Sequence, residues 1–245
     1  MLNKQGPNGI DWTNYTLNPI TGCWGPGGTA KNPKRCSYCY ANAIAKRFNP
    51  GVHDPFIPKF HPHRLDALKK IKDPSMIFMC SVSDMFGDWV PEEWILQILE
   101  TVKMYPQHTF QFLTKNPKRY ACFDFSANCW LGTSAGGTNH NNDLWRIKHY
   151  HEAVVGKNNL RFLSWEPILT KYSKWNIGIE GWNWFIMGAM TGPGSGKHAP
   201  DPQWIKDAVE ACRERGIPIF MKKSLKPKKD PDKYWKGPLI QEWPK

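Results

Sequence analysis

At 245 residues, 40% of them hydrophobic and spread along its length, the chain can bury a sizeable core and is too apolar for a disordered protein. No apolar run approaches the ~20 residues needed to cross a bilayer, and the opening residues MLNKQGPNGIDWTNYT carry no apolar signal core. A cytoplasmic protein without membrane contact is expected. The formal charge is +12, from 33 Lys and Arg against 21 Asp and Glu, and such a surface attracts polyanions. With 13 Trp residues whose faces can stack on bases, the composition leans towards a nucleic acid or a nucleotide-like substrate. The alternative is a generic basic protein whose Trp residues pack internally.

The first fifty residues are dominated by cysteine. Thr21-Gly22-Cys23 is followed, after twelve residues, by Cys36-Ser37-Tyr38-Cys39-Tyr40. Seven cysteines is an odd number in a chain with no export signal, which disfavours a disulfide framework and favours metal binding or catalysis. The C-x-x-C pair puts two thiolates on one short loop, which suits zinc or an iron–sulfur cluster. Three thiolates would leave one iron of a cubane open to a chelating cofactor. Lys31, Lys34 and Arg35 lie beside the thiols and would favour their ionised forms. A structural zinc site closed by His53, His61 or His63 remains open on spacing alone, as do unliganded thiols. Cys80, Cys122, Cys129 and Cys212 show no ligand spacing and read as buried free thiols.

Beyond this segment, short apolar runs alternate with helical patterns. Met76–Cys80 reads as a buried strand ending at Ser81-Val-Ser-Asp84. Pro91 starts a helix with Glu92 and Glu93 in its first turn and Trp94, Ile95, Ile98, Leu99 and Val102 on its apolar face. Strands follow at Thr109–Leu113, ending at Thr114-Lys115-Asn116-Pro117, and at Cys129–Ser134, before a Gly/Asn-rich loop and a helix around Asp143–Ala153. Arg161–Ser164 ends at Trp165-Glu166-Pro167, and Trp184–Met187 ends in the loop Gly188–Gly194. A helix over Asp201–Arg215 stops at Gly216, and Ile217–Met221 is the last strand, ending at Lys222-Lys223. Residues 224–245 form a basic tail rich in Pro and Trp, read as an irregular wrap. Gly192–Gly196 lacks the GK[ST] ending of a phosphate loop, and His61-Pro62-His63 is a weak metal candidate.

The succession implies parallel βα units, about six after the cysteines, in one domain over residues 1–245 with residues 1–50 as the cysteine segment. An incomplete (β/α)6 TIM-like barrel is expected. A doubly wound open sheet would give the same pattern. In α/β barrels the functional face lies at the C-terminal ends of the strands. Asp84, Lys115 and Glu166 each follow an apolar strand that should deliver them there.

These motifs carry a resemblance. TGC…CxxCY, with SVSDMF (81–86), PQHTFQFLTKNP (106–117), WLGTS (130–134), RFLSWEP (161–167) and GIPIFMK (216–222), resembles a phage-associated three-cysteine family that is radical-SAM-like. It is similar more distantly to radical S-adenosylmethionine (SAM) enzymes such as spore photoproduct lyase. The usual radical SAM triad is C-x3-C-x2-C, whereas the first gap here is twelve residues. The family's Gly-Gly-Glu-Ser stretch appears as Gly188-Ala189-Met190-Thr191, and its Lys-Gln after the last strand as Lys222-Lys223.

The resemblance implies a [4Fe-4S] cluster on Cys23, Cys36 and Cys39, reductive cleavage of SAM, and hydrogen abstraction from a nucleic-acid base or nucleotide-like substrate. It implies an electron donor such as flavodoxin or ferredoxin, and host cytoplasm if the gene is carried by a phage. Tyr38 would pack near the adenine of SAM. Ser81, Ser83 and Asp84 would bond its methionyl ammonium, and Lys115 would meet its carboxylate. Ser134 and Glu166 would hold ribose or amino groups, and Lys222 and Lys223 would face substrate. Turn capping or solvation serves equally for Ser81, Ser134 and Lys223. Two other readings stand beside this one: a non-catalytic nucleic-acid-binding protein stabilised by zinc or a cluster, and a lyase or repair enzyme resembling spore photoproduct lyase.

Overall fold

A short buried apolar run bounded by turn residues satisfies its backbone groups by sheet pairing, and the runs read above as strands do so here. The computed structural model describes residues 2–136, 140–171, 181–191 and 195–244. In chain order the elements are β1 (Leu2–Lys4), β2 (Tyr15–Leu17), β3 (Ile20–Thr21), α1 (Tyr40–Phe48), β4 (Lys59–Phe60), β5 (Met76–Met79) and α2 (Glu92–Lys103). There follow β6 (Thr109–Thr114), β7 (Cys129–Ala135), α3 (His140–Ala153), β8 (Arg161–Trp165), β9 (Trp184–Met187), α4 (Pro202–Glu214) and β10 (Ile219–Met221). Tight 3-10 segments occupy Pro62–Lys70, Pro117–Cys122, Ser195–Lys197 and Lys223–Leu225. The Gly/Asn-rich loop at 137–139 and the glycines at 192 and 194 lie outside the described residues. The chain divides into two compact units, Met1–Leu131 with Gly156–Asn159, and Gly132–Val155 with Leu160–Lys245.

In the first unit β2, β5 and β6 are parallel neighbours, with Leu17 opposite Met79 and Ile77 opposite Phe110, and β1 runs antiparallel to β2 at the edge. β3 and β4 form a separate antiparallel pair, Ile20 opposite Phe60. β5 is apolar throughout, as befits a strand covered on both faces. α2 starts at Pro91, carries Glu92 and Glu93 at its positive end, and buries Ile95, Ile98, Leu99 and Val102, as its period requires. Trp94 is half-buried instead, stacked on Phe60 with ring centroids 5.2 Å apart. β6 passes to β7 through the 3-10 segment at Pro117–Cys122, without an α-helix. There Phe86, Phe112, Tyr120 and Phe125 make a cluster of edge and tilted ring contacts, Phe86 and Tyr120 at 4.7 Å.

In the second unit β8, β9 and β10 are parallel, Leu163 opposite Phe185 and Phe220 opposite Ile186. α4 is capped by Asp201, whose carboxylate accepts from the Gln203 N–H at 2.8 Å, and Pro202 opens its first turn. Gly216, at φ 63°, ends it in the left-handed region. Among the described residues the strands are mostly parallel and do not close a barrel, β1 and β10 standing at the ends of the strand order. No helix among the described residues is long and apolar enough to cross a membrane.

The tail does more than wrap. Gln241 bridges to Phe220, the Met221 N–H donates to the Ile240 carbonyl at 2.7 Å, and the Glu242 N–H donates to the Ile219 carbonyl at 2.8 Å. It therefore covers the open edge of β10. Trp184, fully buried, donates its indole N–H to the Glu242 carbonyl and packs on Phe220 and Trp243.

Arg213 fixes the tail through Glu242 at 2.8 Å. The Arg213 hydrogen bond is the main cause holding the Glu242 carboxyl below its usual range; burial opposes it and the Ile219 N–H assists. A depressed carboxylate stabilises the fold above its ordinary pKa, and that contribution is lost as pH falls through the depressed value. Acidification below about pH 4 should therefore loosen the tail. The fluorescence difference between wild type and Trp243→Phe should change in that window, and Glu242→Gln should abolish the change.

Candidate functional site

The C-terminal ends of β2, β5 and β6 lie side by side in the first unit, and each hands over to a segment singled out in the sequence. β5 is followed by Cys80, whose φ of 57° lies in the left-handed region, a conformation costing a non-glycine residue roughly 1–2 kcal/mol. The turn it starts is laced to the chain just before Cys23. The Ser83 hydroxyl donates to the Gly22 carbonyl at 2.6 Å, and the Gly22 N–H donates to Val82 O at 3.2 Å. Asn18 Oδ1 accepts from both the Ser81 hydroxyl and the Val82 N–H. Gly22 is at φ 80°, and a Cβ there would strike the Phe56–Ile57 backbone.

Cys23, Cys36 and Cys39 are free thiols, each half-buried, in one electrostatic neighbourhood. The Cys23 sulfur accepts from the Gly25 N–H at 3.2 Å. Cys39 is the N-cap of α1, and its sulfur accepts from the Asn42 N–H at 3.4 Å, so it sits at the positive end of the helix. Burial, then the Asp84 charge, pushes the Cys23 thiol up to about 12, against the Gly25 hydrogen bond. Burial also raises Cys39, with the Asn42 N–H and the Lys115 charge working the other way. Among the described residues no group of three or more His, Cys, Asp or Glu side chains stands in position to hold a metal ion. Tetrahedral zinc, at about 2.3 Å from each sulfur, would need sulfurs about 3.8 Å apart. A cubane takes each thiolate on a separate iron, so its ligands face one volume without meeting at one point. Two of the three soft donors, Cys23 and Cys39, accept backbone N–H bonds at sulfur, and the Lys115 charge bears on Cys39, which is the kind of donor set such a cluster would use. His61 is occupied elsewhere, its Nε2 lying 3.0 Å from the Thr21 hydroxyl.

Asp84 is deeply engaged. Its Oδ1 accepts from the Thr114 hydroxyl at 2.6 Å and the Phe86 N–H at 3.1 Å, and its Oδ2 from the Lys115 N–H at 2.9 Å. The carboxylate thus ties the β5 turn to the end of β6, and the Lys115 side chain is left to act on Cys39. Tyr38 is half-buried between the paired cysteines. Arg35 does not serve the thiols by charge, since its guanidinium is seated on Asp54 at 2.7 Å. Cys80, Cys129 and Cys212 are buried as expected, with burial raising each thiol, whereas Cys122 is exposed.

In the second unit the Lys222 ammonium donates to Glu166 Oε1, joining two residues that the sequence offered separately. Gly188 lies against the pair: a Cβ there would come within 3.0 Å of Glu166 Oε1 and Lys222 Cδ. Lys222 donates its N–H to the Met187 carbonyl, and the Ser224 hydroxyl accepts from the Ala189 N–H at 3.0 Å. Ser134 is buried within β7, and Lys223 is exposed. Asp143 was missed in the sequence. It is buried, accepts from the Gly136 N–H and pairs with Arg146 at 3.0 Å.

A family model matches residues 7–236. The chain belongs to the DUF5131 family, described as proteins of unknown function. No curated protein matches it by sequence. Among solved structures the DUF5131 chain is similar to a double mutant of spore photoproduct lyase with bound AdoMet and dinucleoside spore photoproduct, with TM-score 0.50 and 10% identity. It is similar also to that lyase complexed with dinucleoside spore photoproduct, and to a single mutant with the same dinucleoside, both at TM-score 0.50 with 11% and 10% identity. Each match covers 80% of this chain and 61–62% of the other, so the DUF5131 chain spans less than two thirds of those structures. At this identity the likeness shows a shared fold alone.

The triple acceptance by Asp84 yields a stability test in the metal-free DUF5131 chain. Asp84→Ala strands one hydroxyl and two backbone N–H groups, each costing about 1–3 kcal/mol if left unsatisfied. Urea denaturation should show a loss of roughly 3 kcal/mol or more, and Asp84→Asn, which sets an amide N–H against the donors, a smaller one. Unchanged midpoints would show that the carboxylate is not a structural tie.

Proposed function

We propose that the DUF5131 chain is a radical SAM enzyme whose Cys23, Cys36 and Cys39 hold a [4Fe-4S] cluster and whose substrate is a nucleic-acid base or a nucleotide-like molecule. The observation that carries this reading is the gathering of three reduced thiols beyond the C-terminal end of β2, one capping α1. A cluster held by Cys23, Cys36 and Cys39 would pass one electron from a flavodoxin- or ferredoxin-like donor to bound SAM, which would split into methionine and a 5′-deoxyadenosyl radical.

The protein's own part is binding and orientation. The Gly25 and Asn42 N–H groups and the positive end of α1 favour thiolates at Cys23 and Cys39. Lys115, whose charge bears on Cys39, would meet the SAM carboxylate, and Tyr38 would pack near its adenine. Asp84 positions Lys115 through its backbone and keeps acceptor capacity for the methionyl ammonium. Ser81 and Ser83 donate to protein acceptors and hold the turn. Ser134 and the Glu166–Lys222 pair contribute polar groups at the strand ends of the second unit, with Lys223 exposed to an anionic substrate.

The charge of +12 and the dinucleoside in the lyase structures support this substrate class. Modification or isomerisation of a base is the first reading of the reaction. A lyase or repair reaction is the second, favoured by the likeness to spore photoproduct lyase. A flavodoxin- or ferredoxin-like donor, a cytoplasmic setting and a phage association belong to the same proposal.

Anaerobic reconstitution followed by iron and sulfide analysis tests it. About four of each per chain are expected, with 5′-deoxyadenosine formed from SAM after reduction. Cys36→Ala should lose both signals. A colourless protein with one zinc per chain would overturn the reading.

A further inference from the structure

The gap between Cys23 and Cys36 is closed at its neck. The Lys34 N–H donates to the Trp24 carbonyl at 2.6 Å, so residues 24–34 leave and return at one point. Inside that excursion, Gly28 N–H bonds the Gly25 carbonyl, and Thr29 and Asn32 exchange backbone hydrogen bonds. Gly25 lies so close to Lys34, and Gly28 to Trp24, that a Cβ at either would meet backbone. Thr29 through Lys34 are exposed, so the excursion projects outward.

Below the neck stands Arg35, adjacent in sequence to Cys36. Its Nε donates to the Cys23 carbonyl at 2.8 Å, and one Nη donates to Asp54 Oδ2 at 2.7 Å and to the Phe56 carbonyl at 3.5 Å. Asp54 Oδ1 accepts from the Phe56 N–H, and the Phe56 carbonyl accepts from the Cys23 N–H at 3.0 Å. Cys23 is thus gripped on both its N–H and its carbonyl, with its sulfur left free of the clamp. The guanidinium also lies 5.7 Å from the Phe56 ring centroid, and the Arg35 and Asp54 side chains are only 16% and 19% exposed. A rigid fork reaching three acceptors is something a lysine cannot reproduce.

We propose that Arg35, seated on Asp54, is the positioning residue that sets Cys23 beside the Cys36–Cys39 pair, making the long gap equivalent to a short one. This rests on the reading of the three thiols as cluster ligands, and the test separates the two. In the metal-free protein a short bismaleimide should join Cys23 to Cys36, quantified by peptide mass spectrometry. Arg35→Ala and Asp54→Asn should lower that yield roughly tenfold while the Cys36–Cys39 link is unchanged. Iron uptake on reconstitution should fall by a similar factor, the scale of losing a residue that orients a metal ligand. Arg35→Lys should not rescue either signal.

Equal Cys23–Cys36 yields in wild type and both variants would overturn the latch, as would full rescue by lysine, which would mean that charge alone suffices. If Arg35→Ala fails to fold, Asp54→Asn decides by the same yields. If wild type takes up no iron but the cross-linking difference persists, the cluster reading falls and the latch stands.

Discussion

Gathering three thiols into one half-buried neighbourhood is unfavourable before any ligand arrives. Burial disfavours the thiolates of Cys23 and Cys39, Asp84 opposes ionisation of Cys23, and charge on neighbouring sulfurs would oppose it further at both. Nothing in the thiols themselves holds them together. The backbone does: Gly22 is tied to the β5 turn, Cys23 to Phe56 and Arg35, and Cys39 to the first turn of α1. Lengthening a loop from three residues to twelve costs only about 1.2 kcal/mol in closure entropy. One charge-assisted hydrogen bond, at about 1.5–3 kcal/mol, offsets that. The unusual first gap is therefore thermodynamically minor once its neck is bonded.

The same economy governs the strand ends. Asp84 reaches across from the β5 turn to the end of β6, where the parallel register of the two strands brings Thr114 and Lys115 within bonding distance. Phe86, two residues on, enters the aromatic cluster with Phe112 and Tyr120, each such pair adding about 0.5–1.5 kcal/mol beyond its buried area. The polar tie at Asp84 and the apolar anchor at Phe86 together hold the turn that follows the left-handed Cys80. The strain at Cys80 is small against that sum, and its effect is to direct Ser81 and Ser83 towards the segment preceding Cys23.

How much of this the sequence discloses depends on how local each interaction is. β5 and β9 are readable because each is a continuous apolar run, β6 and β8 because a short apolar stretch ends at turn residues, and α2 and α4 because Pro91 starts the one and Gly216 stops the other. β1 to β4 are runs of two or three residues, too short for any period to show. Asp84 reads as a free carboxylate at a strand end, because its partners come from a strand about thirty residues on. Arg35 reads as a cation beside thiols, because Asp54 lies beyond the whole of α1. Trp12, Trp165, Trp182 and Trp184 read as stacking surfaces by number alone, yet all four are buried, so much of the Trp surplus serves the interior. Composition counts residues without placing them.

Placement also limits what the positive charge can do. A net +12 acts over distance, and at physiological ionic strength its reach is about 8 Å beyond the surface. Exposed cations such as Lys228, Lys229, Lys233 and Lys236 in the tail can therefore raise the local concentration of a polyanion without telling one sequence or base from another. At the strand ends of the second unit the charge is already balanced, since Glu166 holds the Lys222 ammonium. An anion that engages Lys222 must displace that carboxylate or share its partner, which costs more than meeting a solvated lysine. On the proposed function, attraction and selection would fall to different lysines: those on the tail would draw a polyanion in by field, and Lys222, paired with Glu166 beside Gly188, would admit only a group able to compete with a carboxylate at hydrogen-bond distance.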